Sequence, residues 1–301
     1  MIDHAPDERM SVRRPGTGRH AVTVAAVSAL LALCSSLLWG TSDFVAGLKA
    51  KTMPAAAVVG WSQLVGFVAL CGVLVVMGNP LAASGWQGWA IAAGVAGAVA
   101  LWAFYGALST GTMSVVAPVA SLGAAVPVLL GVATGDTPSV IAWVGMGVAV
   151  LGTVLASGPE IQAGLHVRPV LLACVAAVGF GTVLFCMDRG ARVSLVSTLW
   201  GMRLTSLVLY AVIAAVRRST GGVGRRDWPT LVFVGLADLG ANAFFVAAST
   251  QGLVSVAAVL GSLYPVVTIL LARAFLAERL KPIQNVGIVL ALAGVVAIAT
   301  G

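Results

Sequence analysis

Long apolar runs recur along the chain, separated by short clusters of Gly, Pro, Ser and charged residues. A helix needs about 20 apolar residues to cross a bilayer. Judged against that length, the runs predict ten helices, over about 22–47, 55–77, 86–108, 113–134, 139–157, 169–187, 194–216, 228–250, 253–276 and 282–300. From Thr52 to Gly135 there is no Asp, Glu, Lys or Arg, so about three spans follow one another there with short connections. The backbone in lipid must satisfy its own hydrogen bonds, which favours helices. A β-barrel would alternate apolar and polar residues over short segments, and the chain shows no such alternation. Trp86, Trp89, Trp143 and Trp228 fall near span starts, where interfacial aromatics are expected.

The pattern repeats itself. Gly40-Thr41 and Phe44 align with Gly181-Thr182 and Phe185 at an offset of 141 residues. Gly111, Ser114, Val115, Ala117 and Ser121-Leu122 meet Gly252, Ser255, Val256, Ala258 and Ser262-Leu263 at the same offset. Gly145, Ala149, Gly152 and Val154 meet Gly287, Ala291, Gly294 and Val296 one residue further on. Each repeat holds five helices. Five is odd, so the second half enters the membrane from the opposite side. The expected fold is an all-α integral membrane protein, ten transmembrane helices in two inverted five-helix repeats. Such repeats are a transporter architecture, with the substrate site near the midplane between the halves. The expected division is a soluble tail at 1–21, a first repeat at 22–158, a linker at 159–168 and a second repeat at 169–301. The Gly145/Ala149 and Gly287/Ala291 pairs are small-xxx-small patterns for close helix packing.

Composition agrees with the pattern: the chain is 59% hydrophobic and 9% charged, against about 25% charged in soluble domains. The net charge of +7 lies in the tail and loops rather than on a soluble basic face, which argues against nucleic acid as a partner. Cys34, Cys71, Cys174 and Cys186 lie inside apolar runs and read as packing residues, not as a disulfide framework or metal site. The tail, Met1 to His20, carries Arg9, Arg13, Arg14 and Arg19. The apolar stretch behind it is too long for a signal peptide, and Leu33 is too large for a lipoprotein cleavage site before Cys34. A first transmembrane helix behind a short tail is expected instead.

Trp39-Gly40-Thr41-Ser42-Asp43-Phe44 resembles the Trp-Gly-x-x-x-Phe opening of EamA-type members of the drug/metabolite transporter superfamily. Pro265 through Glu278-Arg279-Leu280, then Gln284 and Gly287, resembles that family's ending of a repeat. Pro127, Gly135-Asp136 and Gly145 form a weaker copy, with Asp136 where Glu is more usual and a shorter Pro-to-acid spacing. The resemblance covers roughly residues 25–300. It implies a ten-helix inner-membrane carrier with cytoplasmic termini, moving small organic solutes, usually outward. It names no substrate.

A charge at the centre of a membrane helix costs about 2.5–3.5 kcal/mol on insertion scales, so such residues are functional candidates. Asp43 shares a helix face with Ser35 and Trp39, and Ser42 is adjacent. It either faces a cavity, exchanging a proton or meeting a cation, or lies near the water interface marked by Lys49 and Lys51. Asp238, Asn242, Phe245 and Ser249 form one stripe along the eighth span, facing a pocket or bonding to other helices. Arg203 is mid-span, and its repeat counterpart is Gln63. Arg203 either binds an anionic group or pairs with Asp238, because an unpaired buried charge is costly. Arg273 is nearer a span end and is expected to snorkel. Trp39, Trp102, Tyr105, Phe245 and Tyr264 supply flat apolar walls for an organic solute, although packing alone also places aromatics inside.

The expected activity is secondary transport by alternating access, coupled to protons through Asp43 or Asp238. The chain has no G-x-x-x-x-G-K-[ST] loop for ATP and no H-E-x-x-H, and its three histidines lie in the tail and a loop. An intramembrane enzyme therefore has little support, and no cofactor or metal is expected. A flippase for a lipid-linked substrate would share the fold. The expected partners are a small organic solute and membrane lipids, and a monomer is compatible with the sequence. The four tail arginines outnumber Lys49 and Lys51 across the first helix, favouring cytoplasmic termini in the cell membrane. The same choice puts Arg217, Arg218, Arg225, Arg226, Arg279 and Lys281 outside, against the same rule.

Overall fold

A computed structural model describes residues 17–78, 81, 83–111, 113–133, 139–161, 167–251, 257, 260–261, 263–276 and 281–300. The start of the tail, Asp136, the Glu278-Arg279-Leu280 stretch and most of 252–259 lie outside the described residues. Every regular element among the described residues is helical. The α-helices are α1 (Thr17–Ala50), α2 (Ala55–Met77), α3 (Gln87–Thr110), α4 (Met113–Ser121), α5 (Ala125–Ala133), α6 (Val140–Ile161), α7 (Val167–Arg217), α8 (Trp228–Gln251), α9 (Tyr264–Leu276) and α10 (Pro282–Thr300). Five of them contain segments long and apolar enough to cross a membrane: α1, α2, α3, α7 and α8.

Three predicted spans look different in three dimensions. The run 113–134 is α4 and α5 joined by a 3-10 turn at Leu122–Ala124. The runs 169–187 and 194–216 are two arms of α7, which continues helical through the expected connection and breaks at Ser194 (φ −159°, ψ 111°). A straight helix of 51 residues would reach about 75 Å, more than twice the ~30 Å hydrocarbon core, so a break is required. Ser194 supplies it: its hydroxyl oxygen accepts the Ser197 backbone N–H at 3.4 Å, an N-cap for the second arm.

The helices interlock through paired glycines. A methyl group added at Gly40 would lie 2.4 Å from Val267 Cβ and 2.6 Å from the Tyr264 carbonyl oxygen. At Gly181, 141 residues on, it would lie 2.5 Å from Val126 Cβ and 2.2 Å from the Gly123 carbonyl oxygen. Val126 and Gly123 precede Val267 and Tyr264 by the same 141 residues. Gly94 against Thr205 and Met202, and Gly235 against Val65 and Ser62, form a second such pair. Each half thus makes on the other the contact it receives. Helix courses follow from side-chain bonds. Ser28 Oγ donates to the Ala248 carbonyl while Lys49 bonds Asp227, so α1 and α8 are antiparallel. Ser206 Oγ reaches the Gly94 carbonyl and Tyr210 OH the Ala98 carbonyl, so α3 and the second arm of α7 are parallel. Gly111 beside Pro169 and Gly97 beside Val183 make α3 antiparallel to the first arm.

Gly294 on α10 sits against the Gly145 carbonyl and the Ala149 backbone on α6, a close contact between the halves. Trp86, expected at an interface, is 7% exposed because its ring lies against Gly201 of α7. Trp89, Trp143 and Trp228 are exposed. Cys174, expected to pack inside, is exposed, whereas Cys186 is buried. Arg273 is exposed in the last turn of α9.

Candidate functional site

A central cavity of about 680 Å³ is lined by Trp39 and Asp43 of α1, Gln63 of α2 and Gly97 and Leu101 of α3. The first arm of α7 adds Phe180, Val183 and Leu184, and the second arm adds Met202, Arg203 and Ser206. Asp238 and Asn242 of α8, with Gly261 and Tyr264, complete the wall. Both halves of the chain therefore contribute.

Its electrostatic centre is Asp238. Arg203 Nη1 donates to Asp238 Oδ2 and to Gln63 Oε1, each at 2.6 Å. Trp39 Nε1 donates to Asp238 Oδ1 at 3.2 Å, and Asn242 Nδ2 donates to the same oxygen at 3.1 Å. Gln63 Nε2 lies 3.5 Å from Oδ2. This carboxylate has a counter-ion and neutral donors on both oxygens, which offsets the cost of removing it from water. Arg203 is 1% exposed, and its Nε and Nη2 have no hydrogen-bond partner among the described residues. Both nitrogens are themselves buried, with Nε on the side of Gly66 of α2.

Asp43 is 7% exposed and lines the cavity, not the interface. Among the described residues it accepts a hydrogen bond from Tyr105 OH at 3.2 Å, and no cation reaches it. Asp43 and Asp238 are thus the same residue type in opposite settings, one nearly alone and one saturated with donors.

The other candidates separate by role. Tyr264 lines the cavity, its hydroxyl without a partner among the described residues and its ring edge-on to Phe104 at 6.3 Å. Ser42 turns away and donates to the Val234 carbonyl at 3.2 Å, tying α1 to α8. Phe245 is fully buried behind the wall, its ring 5.8 Å from Trp39. Trp102 is corrected outright: it is 43% exposed on the outer surface and lines no part of the cavity. Leu101 and Tyr105, four residues apart, share the inner face of α3, and Trp102 stands about 100° around the axis from Leu101.

Several lining residues were not singled out from the sequence, yet the 141-residue offset points to four of them. Phe180 is the counterpart of Trp39, Leu184 of Asp43, Gly97 of Asp238 and Leu101 of Asn242. Ser206 follows Arg203 by three positions on the same helix face. Asp188 also escaped notice; it is buried and pairs with Arg192 at 3.0 Å near the α7 break, away from the cavity lining.

A duplicated, all-helical, multi-pass membrane chain, with a largely apolar cavity that holds a charged cluster and is drawn from both halves, has the build of a membrane transporter. The EamA-like transporter family model matches residues 26–158 and 167–300, and the chain belongs to that family. A solved crystal structure, described only as that of a protein, shares the fold with a TM-score of 0.71 at 19% identity, covering 90% of this chain and 96% of that one. No curated protein matches.

Proposed function

We propose that the chain is a ten-helix secondary carrier in the cell membrane, exporting a small organic solute by alternating access through the central cavity. Two inverted five-helix repeats, with both termini cytoplasmic, form the moving halves. α1 runs parallel to α3, from Asp43 beside Tyr105 to Gly47 beside Leu108, and the first arm of α7 runs antiparallel to it, so these two counterpart helices take opposite courses, which supports that inversion. The observation that carries the proposal is the contrast between the two aspartates in one cavity. Asp238 is held by Arg203, Gln63, Trp39 and Asn242 and acts as a fixed scaffold. Asp43, bonded among the described residues by Tyr105 alone, is the carboxylate free to exchange a proton or meet a cationic group. Trp39, Phe180 and Tyr264 give flat walls for an organic solute.

Thermal stabilisation of the purified protein across a metabolite and drug panel should identify ligands. Proteoliposomes then test coupling. Transport of a hit should follow an imposed pH gradient, and Asp43→Asn should abolish that dependence while leaving ligand binding measurable. Asp238→Asn should weaken binding and stability together. Gradient coupling that persists in both variants would rule out either aspartate as the proton carrier.

A further inference from the structure

A second space opens away from the central cavity. It is a groove of about 1040 Å³ between the N-terminal half of α2 and the second arm of α7. Its walls are Ala57, Gly60, Leu64, Leu207, Ile213 and Ala214, and Arg217 stands at its mouth. We propose that this groove binds one anionic phospholipid, its phosphate on Arg217 and Arg218 and one acyl chain along the apolar walls.

Length is the first argument. Leu207 and Arg217 are ten residues apart on one helix, about 15 Å, which is half of the ~30 Å hydrocarbon core and thus one leaflet deep. The setting is the second. Val208, Val212 and Val216, beside the groove on α7, are 52%, 56% and 80% exposed, as a lipid-facing surface would be. Charge is the third. Arg217 and Arg218 are exposed, and neither has an acidic partner among the described residues. Basic groups at the mouth of an apolar interhelical pocket are the chemistry that selects anionic headgroups.

The mouth is also built rather than loose. Gly221 (φ +86°) brings the loop so close that an added methyl would meet Ala57 Cβ at 2.2 Å. Trp61 Nε1 donates to the Thr220 carbonyl at 3.0 Å. The loop is thereby tied to α2 across the end of the groove, holding Arg217 and Arg218 at headgroup level.

Native mass spectrometry of the full chain tests this. Protein purified in mild detergent and mixed with phosphatidylglycerol or phosphatidylcholine should retain one phosphatidylglycerol preferentially. The Arg217→Gln/Arg218→Gln pair should lower that retention about tenfold or more, from about 1 kcal/mol per basic residue. Ala211→Trp, a bulky change at an exposed groove position, should lower it without removing charge. Equal retention of both lipids, or unchanged retention in both variants, overturns the proposal. Glycerol phosphate alone binding as tightly as the whole lipid overturns it too, since the site would then take a free anion. Unaltered thermal unfolding of the variants shows that the readout is binding and not misfolding.

Discussion

Asp43 and Asp238 sit on adjacent antiparallel helices, and the difference between them is a matter of neighbours. Asp238 has Arg203, and breaking a buried pair by removing one partner costs about 3–5 kcal/mol, because the other charge is stranded. Arg203→Met should therefore lower the unfolding temperature in detergent clearly. An Arg203→Met/Asp238→Leu double variant should recover much of the loss, since a buried pair replaced by apolar groups is often neutral. It should still fail to transport, which separates stability from function. The sequence placed Asp238 and Arg203 within spans, but left open whether Asp43 faces a cavity or the interface, and whether Arg203 pairs or binds solute. Pairing depends on a 2.6 Å approach between α7 and α8 that no local pattern specifies. Trp102 faces outward, against the sequence expectation, for a related reason. Three-residue spacing puts two side chains on neighbouring flanks of a helix, and α3 turns one flank inward and the other out.

The paired glycines show how helices are held at backbone distance. Gly181→Ala would press a methyl into the Gly123 carbonyl and against the β-branched, stiff side chain of Val126. Overpacking of this kind costs about 1–3 kcal/mol. Gly147→Ala on α6, where nothing lies within 4 Å, should be neutral or slightly stabilising, since alanine favours a helix. Comparing the two unfolding temperatures separates packing from propensity. Spans were legible in the sequence because lipid thickness sets a run length. Continuity was not: hydropathy could not distinguish the connection inside α7, at 188–193, from a loop. Asp188 and Arg192 there look like loop residues but form an i,i+4 pair within the helix.

One charged contact ties the two halves at an end of the molecule. Lys49, closing α1, bonds Asp227, just before α8, and the Trp61 and Trp228 rings meet edge-on at 5.3 Å nearby. Asp227 also accepts the Gly224 N–H at 2.7 Å. The Lys49 hydrogen bond, with help from Gly224, holds the Asp227 carboxyl below its usual range. A depressed carboxyl supports the clasp above its ordinary value and releases it as pH falls through the lowered one. Spin labels at Lys51 and Arg226 should therefore keep their separation at neutral pH and move apart only below about pH 3.9. Lys49→Met should give the wider distance already at neutral pH. A separation unchanged by either treatment would mean that the clasp holds nothing shut.

The amino-acid order by itself settled membrane residence, helix as the secondary structure, the duplication and the family. Those follow from quantities that local sequence carries: run length against bilayer thickness, backbone self-satisfaction in lipid, and a constant offset. Only the folded chain decided which buried charge is saturated and which is free. It also set which aromatic faces the cavity and where α7 bends. These depend on distances between helices far apart in sequence, such as Gln63 with Arg203 or Asp43 with Tyr105. The offset carries part of that information, because Phe180, Leu184, Gly97 and Leu101 enter the cavity as counterparts of residues already singled out. Their chemistry differs from that of their partners, so the cavity is symmetric in position and one-sided in charge.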